Sequence, residues 1–134
     1  MVLHLDHRKE TTRLQELRTI QRDFAKQDIP FPDLIMGDFN ALTANDYTQA
    51  EWNAIAQARR RNGWELPVSD VTTFVTQSLG LTDAYQAEAE AAAAGPKGTS
   101  RFDTRIDYVF FREAAFLAAR AGWNLVACQH YDCK

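Results

Sequence analysis

Three short clusters concentrate the side chains that could do chemistry: His4-Leu5-Asp6-His7, Gly37-Asp38-Phe39-Asn40 and Arg105-Ile106-Asp107-Tyr108-Val109-Phe110-Phe111. His4, Asp38, Asn40 and Asp107 offer an imidazole, a carboxylate, an amide and a second carboxylate. Oxygen donors of this kind suit a hard divalent cation that keeps several of its waters. A carboxylate beside an attacking water can orient it and accept its proton. Each residue also has a plainer role open to it. An aspartate after a strand commonly forms a turn or caps a helix, and a single strand histidine is usually just satisfied where it stands. Asp107 is harder to dismiss. It interrupts an apolar strand, and burying an ionised carboxylate among Ile106, Tyr108, Val109 and Phe110 is costly unless something pairs with it. Arg105 lies on the same strand face and is the plain partner; a histidine or a metal ion is the functional one.

The elements that must position these residues follow from periodicity. Residues 2–5 read as a buried strand end, with His4 and Asp6 on one face and Leu3 and Leu5 on the other. Residues 9–26 read as a helix, because Leu14, Leu17, Ile20 and Phe24 recur at steps of three and four. Asp28-Ile29-Pro30-Phe31-Pro32 stops it, since proline cannot continue a helix. Residues 33–36 form a short strand that delivers Gly37-Asp38-Phe39-Asn40 at its end. Thr48-Gln49-Ala50-Glu51 has the pattern of a capping box, opening a helix with Trp52, Ile55 and Ala56 inward and Asn62-Gly63 at its close. Ser69 and Asp70 open a third helix running to Leu79 and stopped by Gly80. Residues 83–94 read as an alanine-rich helix and 95–100 as a loop. Residues 105–111 and 124–129 read as strands. Strands alternating with helices give a layered α/β class, and sites in such sheets gather at strand ends.

Composition narrows the function less than the motifs do. Among 134 residues, 46% are hydrophobic and 25% charged, which fits one soluble globular domain. The apolar runs fall well short of the roughly 20 residues that a membrane span needs. The formal net charge of -3 argues against gripping phosphate backbones by bulk positive charge. A phosphoester or nucleic-acid substrate would then be held locally, with a cation's help. Two cysteines, Cys128 and Cys133, are too few for a disulfide scaffold, so a reducing, intracellular setting is the default expectation.

Taken in order, Leu3-His4-Leu5-Asp6-His7, Met36-Gly37-Asp38-Phe39-Asn40-Ala41 and Arg105-Ile106-Asp107-Tyr108-Val109-Phe110 resemble successive motifs of the endonuclease/exonuclease/phosphatase superfamily, the DNase I-like hydrolases. The resemblance implies a four-layer α/β/β/α sandwich with its site at one end of two packed sheets, and a Mg²⁺- or Mn²⁺-dependent phosphoester hydrolase or nuclease. It implies that His4 stabilises the scissile phosphate or its leaving oxygen. Asp38 would orient the attacking water or contribute to the metal site, and Asn40 would hydrogen-bond the phosphoryl oxygens or help hold the metal. Asp107 would orient histidine or support the site. Arg105 and Tyr108 would pack behind them, and Asp6 and His7 would be peripheral. The implied partner is a phosphoester: nucleic acid, a phosphorylated small molecule or a lipid. The charge that builds on the equatorial oxygens of an attacked phosphodiester can be met by such a cation, an imidazolium and an amide.

The family pattern has elements without a counterpart here. An asparagine and a metal-binding glutamate would precede residues 2–5, and a final Ser-Asp-His is absent; His130 in Cys128-Gln129-His130-Tyr131 is a degenerate candidate at best. The chain therefore reads as a partial domain over residues 1–134, truncated at both ends, and as inactive or impaired by itself. The competing reading is a non-catalytic interaction module or pseudoenzyme. A zinc site at Cys128, His130, Asp132 and Cys133 lacks a recognised ligand spacing. Arg59-Arg60-Arg61 reads either as a phosphate contact or as the solvated end of a helix, where cations complement the dipole.

Overall fold

The computed structural model describes residues 1–88 and 98–118. Four strands form one mixed sheet in the order β1-β2-β4-β3: β1 is Val2–His4, β2 Leu34–Asp38, β3 Thr82–Asp83 and β4 Asp107–Phe111. β1 and β2 run parallel, while β4 is antiparallel to both β2 and β3. The helices are α1 (Glu10–Lys26), α2 (Gln49–Arg61), α3 (Asp70–Thr73), α4 (Ala84–Ala87) and α5 (Glu113–Ala118). The class is mixed α/β, as the alternation of periods implies.

Register decides which residues share a face. Leu3, Ile35, Tyr108 and Phe110 lie on the inner face, against Leu17 of α1 and Val71 of α3; Val75, Leu79, Leu81, Leu5 and Phe39 complete the core. Phe39 meets both Tyr108 and Phe110 edge-on, at ring centroid separations of 5.6 and 5.2 Å. The outer face carries Val2, Met36 and Val109 in one row across the sheet. Val2, Leu34 and Val109 stay exposed there, at 75%, 42% and 37%, while Phe111, opposite Leu34, is buried, so among the described residues this apolar face is open over Val2, Leu34 and Val109.

Local sequence explains several boundaries. The capping box is complete: the Glu51 amide donates to Thr48 Oγ1, and the Glu51 carboxylate accepts from the Thr48 amide. α2 closes on Asn62, then Gly63 at φ +67°; Gly63 N–H donates to Arg60 O and Trp64 N–H to Arg59 O, the paired bonds of a Schellman motif. Gly37 has φ +127°, and a Cβ at that position would run into the backbone oxygen of Leu3 on the neighbouring strand. Close approach of β1 to β2 therefore requires glycine in the Gly-Asp-Phe-Asn element.

Trp52, Ile55 and Ala56 form the covered side of α2, half-buried while Glu51, Asn53, Ala54 and Gln57 are exposed, with Trp52 against Tyr47. Three expectations are corrected. The third helix does not run uniformly: after α3 it widens into a π-helical stretch, Phe74–Ser78, before Gly80 ends it at φ +65°. Of the helix expected at 83–94, Ala84–Ala87 is helical and Glu88 is extended, with ψ 103°, while residues 89–94 lie outside the described residues. Strand character at the third cluster starts at Asp107 rather than residue 105, because Arg105 is pulled into the core by two acids described below. The strand expected at 124–129, with Cys128, His130 and Cys133, lies outside the described residues, as do residues 89–97.

Candidate active site at one end of the sheet

β1 and β2 are parallel and β4 is antiparallel to them, so the C-terminal ends of β1 and β2 and the N-terminal end of β4 share one edge of the molecule. The register then does something no local pattern reveals. His4 pairs with Asp38, and Asp38 pairs with Asp107. Residues 4, 38 and 107 thus stand side by side on the outer face, at the rim of its apolar row. His4 Nε2 is 3.7 Å from Asp38 Oδ2. His4 is largely exposed, at 76% of its side chain, against 30% for Asp38.

Asn40 stands just past the strand end in the left-handed region, at φ +48°, a conformation asparagine tolerates better than most residues. Its backbone N–H donates to Asp38 Oδ1 at 2.8 Å, and its side-chain Nδ2 donates to Leu5 O at 2.9 Å. Asn40 therefore ties the ends of β1 and β2 together and orients the Asp38 carboxylate. Its Oδ1 accepts no hydrogen bond among the described residues. The Asp38 carboxyl is held above the usual carboxylate value, chiefly by partial burial and further by the charge of Asp107; the Asn40 N–H and His4 oppose the rise. Two carboxylates that repel each other across adjacent strands are a pair of oxygen donors whose repulsion a hard cation would relieve. Magnesium is commonly bound through one or two carboxylates, the rest of its shell being water and substrate phosphate. Among the described residues, no three His, Cys, Asp or Glu side chains converge to hold a metal ion.

Asp107 needs no buried partner, contrary to expectation. Strand alternation sends Tyr108 and Phe110 inward and leaves Asp107 exposed, so the desolvation cost never arises. Arg105 does not pair with it. Instead Arg105, 1% exposed, donates to Asp46 through Nε at 2.7 Å and Nη2 at 2.9 Å, and to Asp83 through Nη1 at 3.1 Å and Nη2. Its guanidinium lies 4.2 Å from the Tyr108 ring centroid and 4.8 Å from that of Tyr85. Burial alone would weaken its hold on the proton, but its hydrogen bonds to Asp83 and Asp46 more than offset this, and Arg105 titrates above its ordinary range. Burial pushes the Tyr108 hydroxyl up, with the Arg105 charge and the Thr43 hydroxyl opposing it, so Tyr108 stays neutral. Tyr108 OH donates to Ala41 O at 3.1 Å, and Phe39 N–H donates to Ile106 O at 2.9 Å. These contacts fix the start of β4 against the end of β2, and so fix Asp107 opposite Asp38.

Asp46 and Asp83 escaped sequence reasoning. The signal was a strand arginine that needed a partner, but the partners lie 59 and 22 residues away in sequence. A second buried network also escaped it. Glu10 accepts from Arg13 Nη2 at 2.8 Å and from Val71 N–H at 2.8 Å, and Arg13 Nη1 donates to Asp6 O at 2.9 Å. Asp6 itself is a turn former: its Oδ1 accepts the amides of Arg8 and Lys9, which hold its carboxyl below the usual value. His7 is exposed and, among the described residues, accepts a hydrogen bond from Arg8 Nε.

Comparison of the chain with known protein families, with curated proteins and with solved structures finds no match. No helix among the described residues is long and apolar enough to cross a membrane.

Proposed function

We propose that this chain carries the hydrolytic end of a metal-dependent phosphoester hydrolase of the endonuclease/exonuclease/phosphatase type. The observation that carries the reading is the register: His4, Asp38 and Asp107, from three separate motifs, become neighbours in one row across three strands. The open outer face supports the fold part of the proposal. A sheet face bearing Val2, Met36, Leu34 and Val109 calls for a cover, and a second sheet laid on it is the four-layer α/β/β/α sandwich of that superfamily.

Asp38 and Asp107, with Asn40 Oδ1, would hold a Mg²⁺ or Mn²⁺ ion, which when bound neutralises charge growing on the phosphoryl oxygens. The remaining roles belong to the chain's own side chains. Asp38, oriented by Asn40 N–H, positions a water and accepts its proton as the new P–O bond forms. His4, beside Asp38 and open to solvent, faces the leaving oxygen and in its protonated form donates to it as the old P–O bond breaks. Two carboxylates give these 134 residues weak metal affinity, so activity of the chain alone is expected to be low.

The test is an NMR titration of the folded chain with Mg²⁺ and Mn²⁺, following Asp38, Asn40 and Asp107, with Asp38→Ala as control. Saturable shifts confined to this row and lost in the control are expected. A folded chain whose row ignores both metals overturns the hydrolase reading in favour of a non-catalytic interaction module.

A further inference from the structure

A cleft of about 1050 Å³ opens at the same sheet end, on the side of α1 and α2, and Asn40 forms part of its wall. Its charge inverts that of the chain. The net charge of the whole is -3, yet Arg8, Lys9, Arg13, Arg59 and Arg101 line the cleft against one carboxylate, Glu65. Arg13 is committed to Glu10 and Glu65. The other four cations have no ion-pair partner among the described residues. Arg59 is half-buried, and burial, then the neighbouring Arg13 charge, disfavour its protonated form, with Glu65 and Glu10 opposing them only in part. An anion at this point would relieve that repulsion.

The cleft also contains an aromatic platform. Trp64 and Phe102 meet edge-to-face at 4.9 Å, and they remain 45% and 52% exposed. Exposed aromatics in contact with one another are costly to leave in water, and here each lies at a hydrogen-bonded turn. Trp64 follows the Schellman close of α2. Phe102 sits in a turn in which Ser100 Oγ accepts from the amides of Phe102 and Thr104 and bonds Thr104 Oγ1 at 2.8 Å. The Arg101 guanidinium lies 4.7 Å from the Phe102 ring centroid.

We propose that this cleft binds single-stranded nucleic acid, an unpaired base stacking on Trp64 with Phe102 against its edge, while flanking phosphates lie on Arg8, Lys9, Arg59 and Arg101. Cations with interleaved aromatics are the physical requirements of sequence-tolerant single-strand binding. A phosphorylated small molecule or lipid headgroup would use the cations but leave the aromatic pair without a task. Asn40 links the cleft to the row, since it lines the one and orients Asp38 in the other. That the bound strand is also the substrate rests on the hydrolase reading; the binding itself does not.

The experiment is fluorescence polarisation of a labelled oligothymidine about ten nucleotides long, within the usual single-strand site size, with the full chain in EDTA so that nothing is cut. Binding is expected, with log affinity falling against log salt at a slope near -3 for four phosphate contacts. Trp64→Ala should weaken it by about five- to 150-fold, the range of one base stack. Abasic substitution along the oligonucleotide should produce the same loss, and Trp64→Ala should lose little more on the abasic strand. Arg101→Gln, a surface change, should lower both affinity and slope, and circular dichroism checks that each variant is folded. Equal binding of abasic and intact strands, tighter binding of duplex, or displacement by inositol hexakisphosphate at equal concentration each overturn the proposal. A strand bound while the row of Asp38 and Asp107 ignores both Mg²⁺ and Mn²⁺ sinks the hydrolase reading alone; metal binding at the row without strand binding sinks this one alone.

Discussion

Arg105→Met is the most informative single perturbation of the scaffold behind the row. The side chains of Arg105, Asp46 and Asp83 are 1%, 1% and 4% exposed, so the pair of ion bridges sits in the core rather than in solvent. Methionine fills much of the same volume but leaves two buried carboxylates facing each other without a cation. Breaking a buried pair by removing one partner costs about 3–5 kcal/mol. A chain of 134 residues has an unfolding entropy worth about 0.3 kcal/mol per degree. The melting temperature should therefore fall by about 10 to 18 °C relative to the parent. Differential scanning calorimetry at neutral pH measures it. The triple variant Arg105→Met, Asp46→Asn, Asp83→Asn removes the orphaned charges and should recover a large part of the loss. Because this cluster also fixes the start of β4, the single variant should blunt the metal-induced shifts at Asp38 even well below its melting temperature. A loss under about 1 kcal/mol for the single variant, or no recovery in the triple, would refute the claim that this cation holds β4 in place.

Three further outcomes follow from the same geometry. Gly37→Ala places a Cβ against Leu3 O at a positive φ, so β1 should detach or the chain fail to fold; intact Leu3 and Gly37-neighbour amide protection in hydrogen exchange would contradict this. Asp38 carries a raised folded pKa, so the stability contributed by its protonated form is complete below the ordinary value of 3.8 and lost as pH rises through the folded value. Asp38→Asn should then be more stable than the parent at pH 7, with a flatter stability curve across that window, and urea denaturation at several pH values decides it. Asn40→Gly keeps the left-handed backbone but loses the bond to Leu5 O, costing about 1 kcal/mol; a neutral result in urea denaturation would show that the tie does not hold the strand ends together.

Much of the frame was legible because it depends on neighbours in sequence. The helix at 9–26, the capping box at Thr48 and Glu51, the close at Asn62-Gly63 and the stop at Gly80 are set within a few residues, where periodicity and backbone sterics act. The candidate residues His4, Asp38, Asn40 and Asp107 were also readable as types at strand ends. Their meeting was not. It depends on β1 pairing parallel and β4 antiparallel with β2, in one particular register, and a one-residue slip would send the side chains to opposite faces. The fate of Asp107 likewise turned on which face of the sheet the helices cover. Asp46 and Asp83 became partners of Arg105, and Trp64 came to touch Phe102, only because the folded chain brings distant loops together. Sequence determined which local elements form and which side chains they present; tertiary packing decided which charges are buried, which are paired and which stand together, because Coulombic and contact energies depend on separation in space and not along the chain.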